Sequence, residues 1–567
     1  MPNVIQITNR AYTEWSVKCS ESGEEAEMPT GFDPFRSRLF HGDVFERSSG
    51  TLRIVSSVTR GDLIPGVLVL RGNRMLGRPS GSKRSNRFLY KCIPNDRRLP
   101  AFLIPYGIKF GFTKHIPNRF VVFKFEKWED KHPCGILHET LGCVNDFQSF
   151  CAYQLQCRGL RGAPKEMKRL VVPRFKKQEE RAPFIESMRK SMENRCNHRI
   201  ITIDPAGSRD LDDAFGITHK ATGETQISIY ISHVPLWLDM LDLWSYVPTR
   251  VSTIYLPDRK VGMLPNILAD DMFSLLRGRV RPVLYLDLVF GPDGLIKTST
   301  FGQALICVNV NHVYDSSKLE DDPTYKRAFE LLKGMRTISK GESMEVEDSH
   351  DLIQYLMIQM NSCAGAVLSQ NRCGIYRCFE GNNADIATTH LALKRFFRGW
   401  GGKGSYRDVS ENSGHSILGL DAYAQVTSPI RRQVDIINML ALSAKLGFHS
   451  YTPQATGFYA ERASAVALTA LNLETKAIAK VQKECRLLHA CLTWDKDSEH
   501  IREGFVFEKD VNGCSWRYLV YVPSLSTVVA CHSPLEVGRG SKNRFRFHII
   551  LDEDRLKQKV QVELVEN

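Results

Sequence analysis

The sequence lacks a long apolar run. No uninterrupted apolar stretch approaches the roughly 18 residues that a membrane-spanning helix needs. The opening segment MPNVIQITNRAYTEWSV also has no apolar secretory core. These absences exclude a helical membrane protein and argue against secretion. We therefore expect an intracellular, cytoplasmic protein that makes no membrane contact, with a nuclear or organellar location left open.

Cysteine motifs of the kind that bind zinc or catalyse redox exchange are missing as well. The chain has 15 cysteines, an odd number, and even the closest pairs, such as Cys373 with Cys378, lack the two-residue gap of such motifs. We expect buried free thiols. We find no internal repeat of fixed period, which argues against a solenoid.

Acidic residues are scarce in the N-terminal third. Residues 1–200 contain 35 Lys and Arg against 20 Asp and Glu, a net charge of +15, whereas the whole chain carries +13. The rest of the chain is therefore slightly acidic. A basic region in an intracellular protein favours nucleic acid as the partner, with a solubilising surface as the alternative.

Composition changes along the chain predict six segments. Short β-rich runs separated by Gly, Pro and Asn are typical of small barrels or sandwiches. Leu352, Leu356 and Met360 have helical spacing, and residues 462–486 form a long Ala-rich helical stretch. The segments are a disordered acidic tail (1–35), two small barrels (36–93 and 94–160), a basic linker (161–198), a mixed α+β domain (199–495) and a third barrel (496–567).

The first predicted barrel contains an unusually basic loop. RGNRMLGRPSGSKRSNR, residues 71–87, has six basic side chains and no acidic one. The loop either contacts phosphates or is simply solvated. The candidate RNA-binding residues within it are Arg71, Arg74, Lys83 and Arg84.

The segment IDPAGSRDLDDAFGI, residues 203–217, concentrates four aspartates: Asp204, Asp210, Asp212 and Asp213. Carboxylates this close repel each other unless each faces water or a hard cation such as Mg²⁺ draws them together. The segment lacks the Gly and Glu positions of an EF-hand loop. Carboxylate-bound Mg²⁺ with an electropositive approach is a common means of cleaving phosphodiesters.

A second candidate phosphate site lies at TSPIRRQVDIINML. Ser428 is a good helix N-cap and Pro429 suits a first helical turn, which predicts that Arg431 and Arg432 lie at a positive helix end. Such an end binds phosphate, and an arginine fork adds bidentate contacts. The alternative is a capped surface helix with solvated arginines.

Together these motifs resemble a known family. D-x5-D-x-D-D followed far downstream by T-S-P-I-R-R is similar to the RNB catalytic domain of the ribonuclease II / ribonuclease R family. STIYLPDRKVGMLP, ADDMFSLLRGRVRP and NSCAGAVLSQNRCGIYR agree in order and spacing, so the resemblance covers about 200–490. In layout the chain most resembles the eukaryotic exosome-type branch, but the roughly 35 residues before the barrels leave no room for a PIN domain. We therefore expect no PIN-mediated exosome docking, and a monomer.

The resemblance implies a multidomain fold in which OB/cold-shock-type barrels flank a central mixed α+β RNB catalytic domain. It also implies a processive 3′ to 5′ exoribonuclease that degrades single-stranded RNA to 5′-nucleoside monophosphates with Mg²⁺, for which Mn²⁺ can substitute. Asp204, Asp210 and Asp213 match metal-holding carboxylates, and Asp212, also in the metal set, matches the one most important for cleavage. The other two catalytic residues implied are Arg431, at the scissile phosphate, and Glu474, near the terminal nucleotide. The resemblance also implies RNA binding by Arg432, beside Arg431, and by Tyr255, which stacks on the last base.

The sequence departs from the family pattern at four positions, namely Tyr230, His233, Gln425 and Met439. Each replacement can change hydrogen bonds around a metal site. A catalytically weak or inactive RNB-fold RNA-binding regulator is therefore the alternative hypothesis, against which the four intact aspartates argue. A phosphohydrolase for small molecules would explain the carboxylates but not the basic barrels.

Overall fold

The computed structural model divides the chain into two compact units. The first comprises Met1–Arg161, Leu256–Asp258 and Lys480–Asn567, and the second comprises Gly162–Tyr255 and Arg259–Ala479. The structure describes residues 2–48, 51–72, 74–79, 87–108, 116–160, 165–220, 222–333, 346–379, 393, 396, 404–412, 414–416, 418–494 and 500–566.

The first unit begins with a four-stranded sheet in the order β2-β1-β3-β4. Its strands are β1 (Asn3–Ile7), β2 (Trp15–Cys19), β3 (Val44–Ser48) and β4 (Thr51–Ser56). The prediction of a disordered tail over 1–35 is therefore wrong. Ile5, Ile7 and Val17 alternate toward a buried face, and the glutamates that suggested disorder lie exposed beyond β2.

A closed barrel follows in the order β5-β6-β7-β9-β8. Helix α1 (Val58–Gly61) leads into β5 (Leu63–Leu68), β6 (Phe88–Pro94), β7 (Phe102–Tyr106), β8 (Arg119–Lys127) and β9 (Cys134–Cys143). The predicted boundary between residues 93 and 94 is wrong, because β6 pairs with both β5 and β7. Phe40 and Phe45 share one apolar core with Phe102 and Trp128, so the preceding sheet packs on this barrel.

The basic loop connects β5 and β6. Arg71 and Arg74 are exposed, and the Arg78 guanidinium lies 5.1 Å from the centre of the Phe88 ring. Lys83 and Arg84 lie outside the described residues. The described part of the loop therefore offers four exposed arginines at the barrel surface, namely Arg71, Arg74, Arg78 and Arg87.

The second unit is built on a seven-stranded mixed sheet in the order β10-β17-β16-β13-β12-β11-β18. A separate hairpin joins β14 and β15, and β19 pairs with β20. The bounds are β10 (Glu193–Asn194), β11 (Ile201–Asp204), β12 (Asp213–His219), β13 (Thr225–Ser232), β14 (Ile254–Tyr255), β15 (Lys260–Val261), β16 (Val280–Phe290), β17 (Ile296–Cys307), β18 (Val310–Val313), β19 (Tyr376–Cys378) and β20 (Ser405–Arg407). Because β10 belongs to this sheet, the sheet begins inside the predicted linker.

Helices complete both units. Their bounds are α2 (Phe147–Cys157), α3 (Lys165–Phe175), α4 (Ala182–Arg189), α5 (Val234–Met240), α6 (Ser317–Glu320), α7 (Pro323–Leu332), α8 (Ser349–Gln370), α9 (Gln433–Lys445), α10 (Pro453–Arg462) and α11 (Ala465–Thr493). Helices α8 and α11 confirm the two helices predicted from periodicity, and Leu352, Leu356 and Met360 are buried as their spacing predicts. Among the described helices, none combines the length and apolarity needed to cross a membrane.

The chain ends in a five-stranded antiparallel sheet in the order β23-β22-β21-β24-β25. Its strands are β21 (Ile501–Asn512), β22 (Ser515–Val522), β23 (Thr527–Ser533), β24 (Lys542–Asp552) and β25 (Lys557–Leu564). This sheet, the closed barrel and the mixed central domain confirm the predicted fold class. The fifteen cysteines are free thiols, as predicted, but only six of them are buried.

Candidate active site

The four predicted aspartates line one cavity of about 840 Å³. Asp204 ends β11 and Asp213 begins β12, and these two strands are neighbours in the sheet. The loop between them therefore brings the ends of both strands to the same place, and it carries Asp210 and Asp212. Because this loop connects adjacent strands, the four aspartates of the sequence motif share one site.

The negative charge of Asp210 is balanced by a lysine on a neighbouring hairpin. Its carboxylate accepts hydrogen bonds from the Tyr255 hydroxyl at 2.7 Å and from Lys260 Nζ at 3.0 Å. Tyr255 and Lys260 are paired residues of β14 and β15, so the hairpin presents both to Asp210. Lys260 also contacts Asp270, and these contacts raise the pKa of Lys260 although its burial acts in the opposite direction.

Asp212 is neutralised by the arginine motif. This side chain is 2% exposed and accepts hydrogen bonds from the Ile430 N–H at 2.8 Å and from Arg431 Nε at 3.1 Å. Burial raises the pKa of Asp212 to about 7, and Arg431 counteracts that rise. Burial lowers the pKa of Arg431, but Asp212 outweighs it and the net shift is upward. The pair thus fixes two of the three predicted catalytic side chains against each other.

Among the described residues, Asp204 and Asp213 form no ion pair with a lysine or an arginine. Burial raises the pKa of both carboxyls, and their mutual repulsion raises that of Asp213 further. Within the described part of the chain, Asp204 Oδ2 is buried without a hydrogen-bond donor. Two like-charged carboxyls with an unsatisfied oxygen favour a bound cation.

The donor set fits a divalent cation that takes few protein ligands. No group of three or more His, Cys, Asp or Glu side chains among the described residues is arranged to hold a metal. Mg²⁺, however, is usually bound by one or two carboxylates plus water and substrate phosphates. The structure therefore brings the four predicted carboxylates into one cavity. Of these four, only Asp204 and Asp213 are not paired with a lysine or an arginine and are available as metal ligands.

The arginine motif differs from its prediction. Helix α9 begins at Gln433, four residues later than a Ser428 cap implies, and Arg432 is its N-cap with extended backbone. Asp435 in the first turn accepts the Ser428 N–H and an Arg432 N–H, both at 2.8 Å. Because Ser428 is itself tied to the helix, Arg431 and Arg432 lie in the turn before it.

The two arginines consequently present different groups to the cavity. The Arg431 side chain is 44% exposed, and among the described residues its Nη groups form no hydrogen bond, since only Nε is used by Asp212. Arg432 donates to Asp435 and Thr427 instead. Both arginines line the cavity, but within the described residues Arg431 has both Nη groups available for a ligand, whereas Nη2 of Arg432 is engaged by Asp435 and Thr427.

The structure places the remaining predicted residues in different surroundings. Tyr255 lines the cavity and is 39% exposed, so its ring is accessible while its hydroxyl is held by Asp210. Glu474 does not line the cavity. It accepts the Val251 N–H at 3.1 Å and so holds the segment that leads to Tyr255.

The sequence did not single out the aromatic wall of the cavity. Tyr314 follows β18, whose parallel register with β11 places it beside Asp204, and its ring stacks on His350 with centroids 4.0 Å apart. Arg377 lies over the Tyr406 ring at 4.8 Å. The cavity is also lined by His415 and Tyr423. Of these residues only Arg377 lies in a stretch that carries the family resemblance, and isolated tyrosines give no periodic signal.

Of the four departures from the family pattern, only Gln425 lines the cavity. It accepts the Tyr406 hydroxyl at 2.6 Å. Tyr230 packs edge-on against Tyr285 in the sheet, and Met439 is fully buried in the apolar core. His233 is also fully buried, at the start of α5. Three of the four replacements are therefore accommodated in the protein interior.

A comparison with protein families matches residues 189–319, which include all four aspartates, to the RNB domain. This stretch of the chain is therefore similar to an RNB domain. Exoribonuclease 2 of Salmonella typhi is 29% identical over 316 residues, covering 43% of this chain and 49% of the relative. The match thus spans about half the length of that curated relative. The expected likeness to the exosome-type branch stays a prediction.

Solved structures share the fold of this chain. Mycoplasma genitalium RNase R in complex with ribose methylated single-stranded RNA superposes with a TM-score of 0.69 at 15% identity, covering 100% of both chains. Yeast Ssd1, a pseudonuclease, superposes with a TM-score of 0.56 at 14% identity, covering 96% of this chain and 80% of the other. At these identities the likeness establishes the fold of the chain and leaves its activity to be argued from the site.

Proposed function

We propose that this protein is a divalent-metal-dependent 3′ to 5′ exoribonuclease that acts processively on single-stranded RNA and releases 5′-nucleoside monophosphates. The observation that carries the proposal is one cavity in an RNB domain that combines buried carboxylates, an arginine with free Nη groups and aromatic side chains. The arginine suits the phosphate of an RNA end, the aromatic side chains suit its base, and the carboxylates suit a metal ion that acts on the phosphate.

Each residue has a distinct part in this proposal. Asp204 and Asp213 would hold Mg²⁺, or Mn²⁺ in its place, and the metal would supply an activated water and charge stabilisation when bound. Arg431 donates its Nη groups to the scissile phosphate while Asp212 fixes its orientation. Tyr255 offers its exposed ring to a base, and Lys260 holds that ring in place through Asp210.

The reaction follows from this arrangement. Water adds to phosphorus, the bond to the 3′ oxygen of the preceding nucleotide breaks, and that oxygen takes up a proton. The released nucleotide keeps the phosphate on its 5′ carbon. Arg432, anchored to Asp435, positions the turn that carries Arg431 rather than contacting the phosphate itself.

The test uses a 5′-labelled single-stranded RNA with Mg²⁺, Mn²⁺ or EDTA, resolved on a gel. The wild type is expected to shorten the RNA from its 3′ end only with metal, and Asp204→Asn and Asp213→Asn to lose that activity. Asp321→Asn is the matched control, because Asp321 lies on the surface away from the cavity. An excess of unlabelled RNA added after the start tests processivity, since a processive enzyme completes its first strand.

One observation favours a second candidate function, an RNA-binding regulator without turnover. Asp210 and Asp212 are already paired with Lys260 and Arg431, so half of the predicted metal set is engaged by cations of the protein itself. Such a protein would bind the labelled RNA equally well in EDTA and leave it intact with either metal. Intact RNA with retained binding would therefore decide for the regulator.

A further inference from the structure

A second cavity lies wholly within the first unit and takes no part in the proposed reaction. It measures about 700 Å³ and is lined by α2, by the part of α11 after residue 479, and by β23 and β25 of the C-terminal sheet. Cavities of several hundred cubic ångströms are the size that small ligands occupy.

The lining of this cavity is strongly cationic. Its charged residues are six cations, Arg158, Lys480, Lys483, Arg555, Lys557 and Lys559, and two carboxylates, Glu484 and Asp552. The carboxylates are already used, because Glu484 pairs with Arg158 at 3.0 Å and Asp552 pairs with Arg555 at 3.2 Å. The cavity therefore holds more positive charge than its own anions neutralise.

Several cationic groups lack partners. In the part of the chain that the structure describes, Lys480, Lys483 and Lys559 form no salt bridge, and the buried Nε of Arg158 has no acceptor. Lys557 donates only to the neutral amide oxygen of Gln154, at 3.3 Å. Burial lowers the pKa of Lys483 and of Lys557. Donors in such surroundings favour an anion that accepts several hydrogen bonds.

Part of the remaining wall of the cavity is apolar, and its neutral polar members are Asn95, Gln154, His532, Gln558 and Gln561. Phe150, Leu487 and Leu488 line one part, and Val529 and Val560 line another. An inorganic anion would leave this surface in contact with water. A ligand that carries phosphates on an apolar ring system would cover the apolar wall and satisfy the cations together.

We propose that this cavity is a binding site for a nucleoside polyphosphate, with the phosphates on the lysines and Arg158 and the base against the apolar wall. The inference is independent of the exoribonuclease proposal, since it uses none of the residues of the candidate active site. A phosphate could also be supplied by a passing RNA strand, and the experiment separates these two sources.

The experiment titrates ADP into the full-length protein by calorimetry, in EDTA so that no metal assists binding at the other cavity. Lys483→Glu is expected to weaken ADP binding at least about tenfold, because it replaces a charge-assisted contact with repulsion. Lys483→Arg is expected to retain binding. Lys176→Glu is the matched control, because Lys176 is an exposed lysine outside the cavity and its replacement changes the net charge by the same amount. Lys483 forms no salt bridge, so folding should persist, which thermal unfolding of each variant checks.

Two further arms identify the source of the phosphate. ADP affinity is measured in Arg431→Ala, where the proposal expects no change, and the affinity for a short single-stranded RNA is compared between the wild type and Lys483→Glu. If ADP binding disappears in Arg431→Ala, or persists unchanged in Lys483→Glu, ADP binds elsewhere and the proposal is wrong. If ADP does not bind but Lys483→Glu weakens RNA binding, the cavity contacts RNA and the nucleotide site is likewise refuted.

Discussion

At the scale of single residues, the candidate site depends on cations that the protein supplies to its own carboxylates. Lys260 connects Asp210 and Asp270, whose side chains are 8% and 13% exposed. Lys260→Met is expected to lower the free energy of unfolding by about 2 kcal/mol, because it leaves two poorly hydrated carboxylates unpaired. Chemical denaturation of the purified variant measures this change.

The control for that measurement is an exposed ion pair. Lys297 lies 3.7 Å from Glu224 with its side chain 47% exposed, so Lys297→Met should cost less than about 0.5 kcal/mol. Adding Asp270→Asn to Lys260→Met should recover part of the loss, since one orphaned charge disappears. If Lys260→Met and Lys297→Met lowered the free energy of unfolding equally, the pairing of Lys260 with its two carboxylates would contribute no more than an exposed ion pair.

A single buried histidine predicts how stability depends on pH. Burial lowers the pKa of His233 to about 3, below its value of about 6.5 in an unfolded chain. Protonation therefore favours the unfolded state, and the contribution of His233 is complete above about pH 6.5 and is lost as the pH falls toward 3, by at most about 1.4 kcal/mol per pH unit.

His233→Gln is accordingly expected to reduce the loss of melting temperature between pH 7.5 and pH 5. The exposed His219 provides the comparison, and His219→Gln should keep the wild-type dependence. Thermal unfolding at several pH values measures both variants. A His233→Gln profile parallel to that of the wild type would mean that the acid sensitivity arises elsewhere.

At the scale of secondary-structure elements, the start of α9 determines where the arginines lie. Asp435 is fully buried and holds both Ser428 and Arg432. Asp435→Ala is expected to destabilise the protein by about 2 kcal/mol and to weaken RNA binding, because Arg432 loses its partner and the turn carrying Arg431 loosens. Asp435→Asn keeps an acceptor for the Ser428 N–H and should recover part of the stability. Denaturation and RNA-binding measurements check whether stability and RNA affinity decrease from the wild type through Asp435→Asn to Asp435→Ala.

The start of α9 also shows what a local sequence pattern does not predict. The spacing of Leu352, Leu356 and Met360 is a local property, and α8 forms where it predicts. The start of α9 depends on Asp435 and on pairing between Ser252 and Arg432, a contact across 180 residues that no local pattern reveals. The aromatic wall of the cavity was missed for the same reason, since Tyr314 reaches Asp204 only through the parallel register of β18 with β11.

At the scale of the whole molecule, composition predicted the class of fold but not its boundaries. Acidic residues near the start suggested disorder, yet a few alternating apolar residues such as Ile5 and Val17 suffice to build a sheet on the core of the barrel. Pairing of β6 with strands on both sides merged two predicted barrels into one. Composition averages over such sparse signals, whereas strand pairing depends on individual positions.

The uneven charge of the chain predicts how RNA affinity responds to salt. Arg71, Arg74 and Arg78 are three of the four described cations of the basic barrel loop, and Arg87 is the fourth. Replacing the first three with Gln is expected to weaken RNA binding and to lower the slope of log affinity against log salt by up to about 0.7 for each phosphate that is no longer neutralised, because fewer counterions are released. Fluorescence anisotropy with a single-stranded RNA at several salt concentrations measures this slope.

The matched variant removes three exposed cations from α3 instead, namely Lys165, Lys168 and Arg169. It changes the net charge equally, so a general field effect would alter both variants alike. A reduced slope in the barrel-loop variant alone would place RNA phosphates at that loop, since counterion release reflects the phosphates that are locally neutralised whereas net charge acts over the whole surface. Unchanged slopes in both variants would mean that the excess charge of the N-terminal third keeps the protein soluble and does not contact RNA.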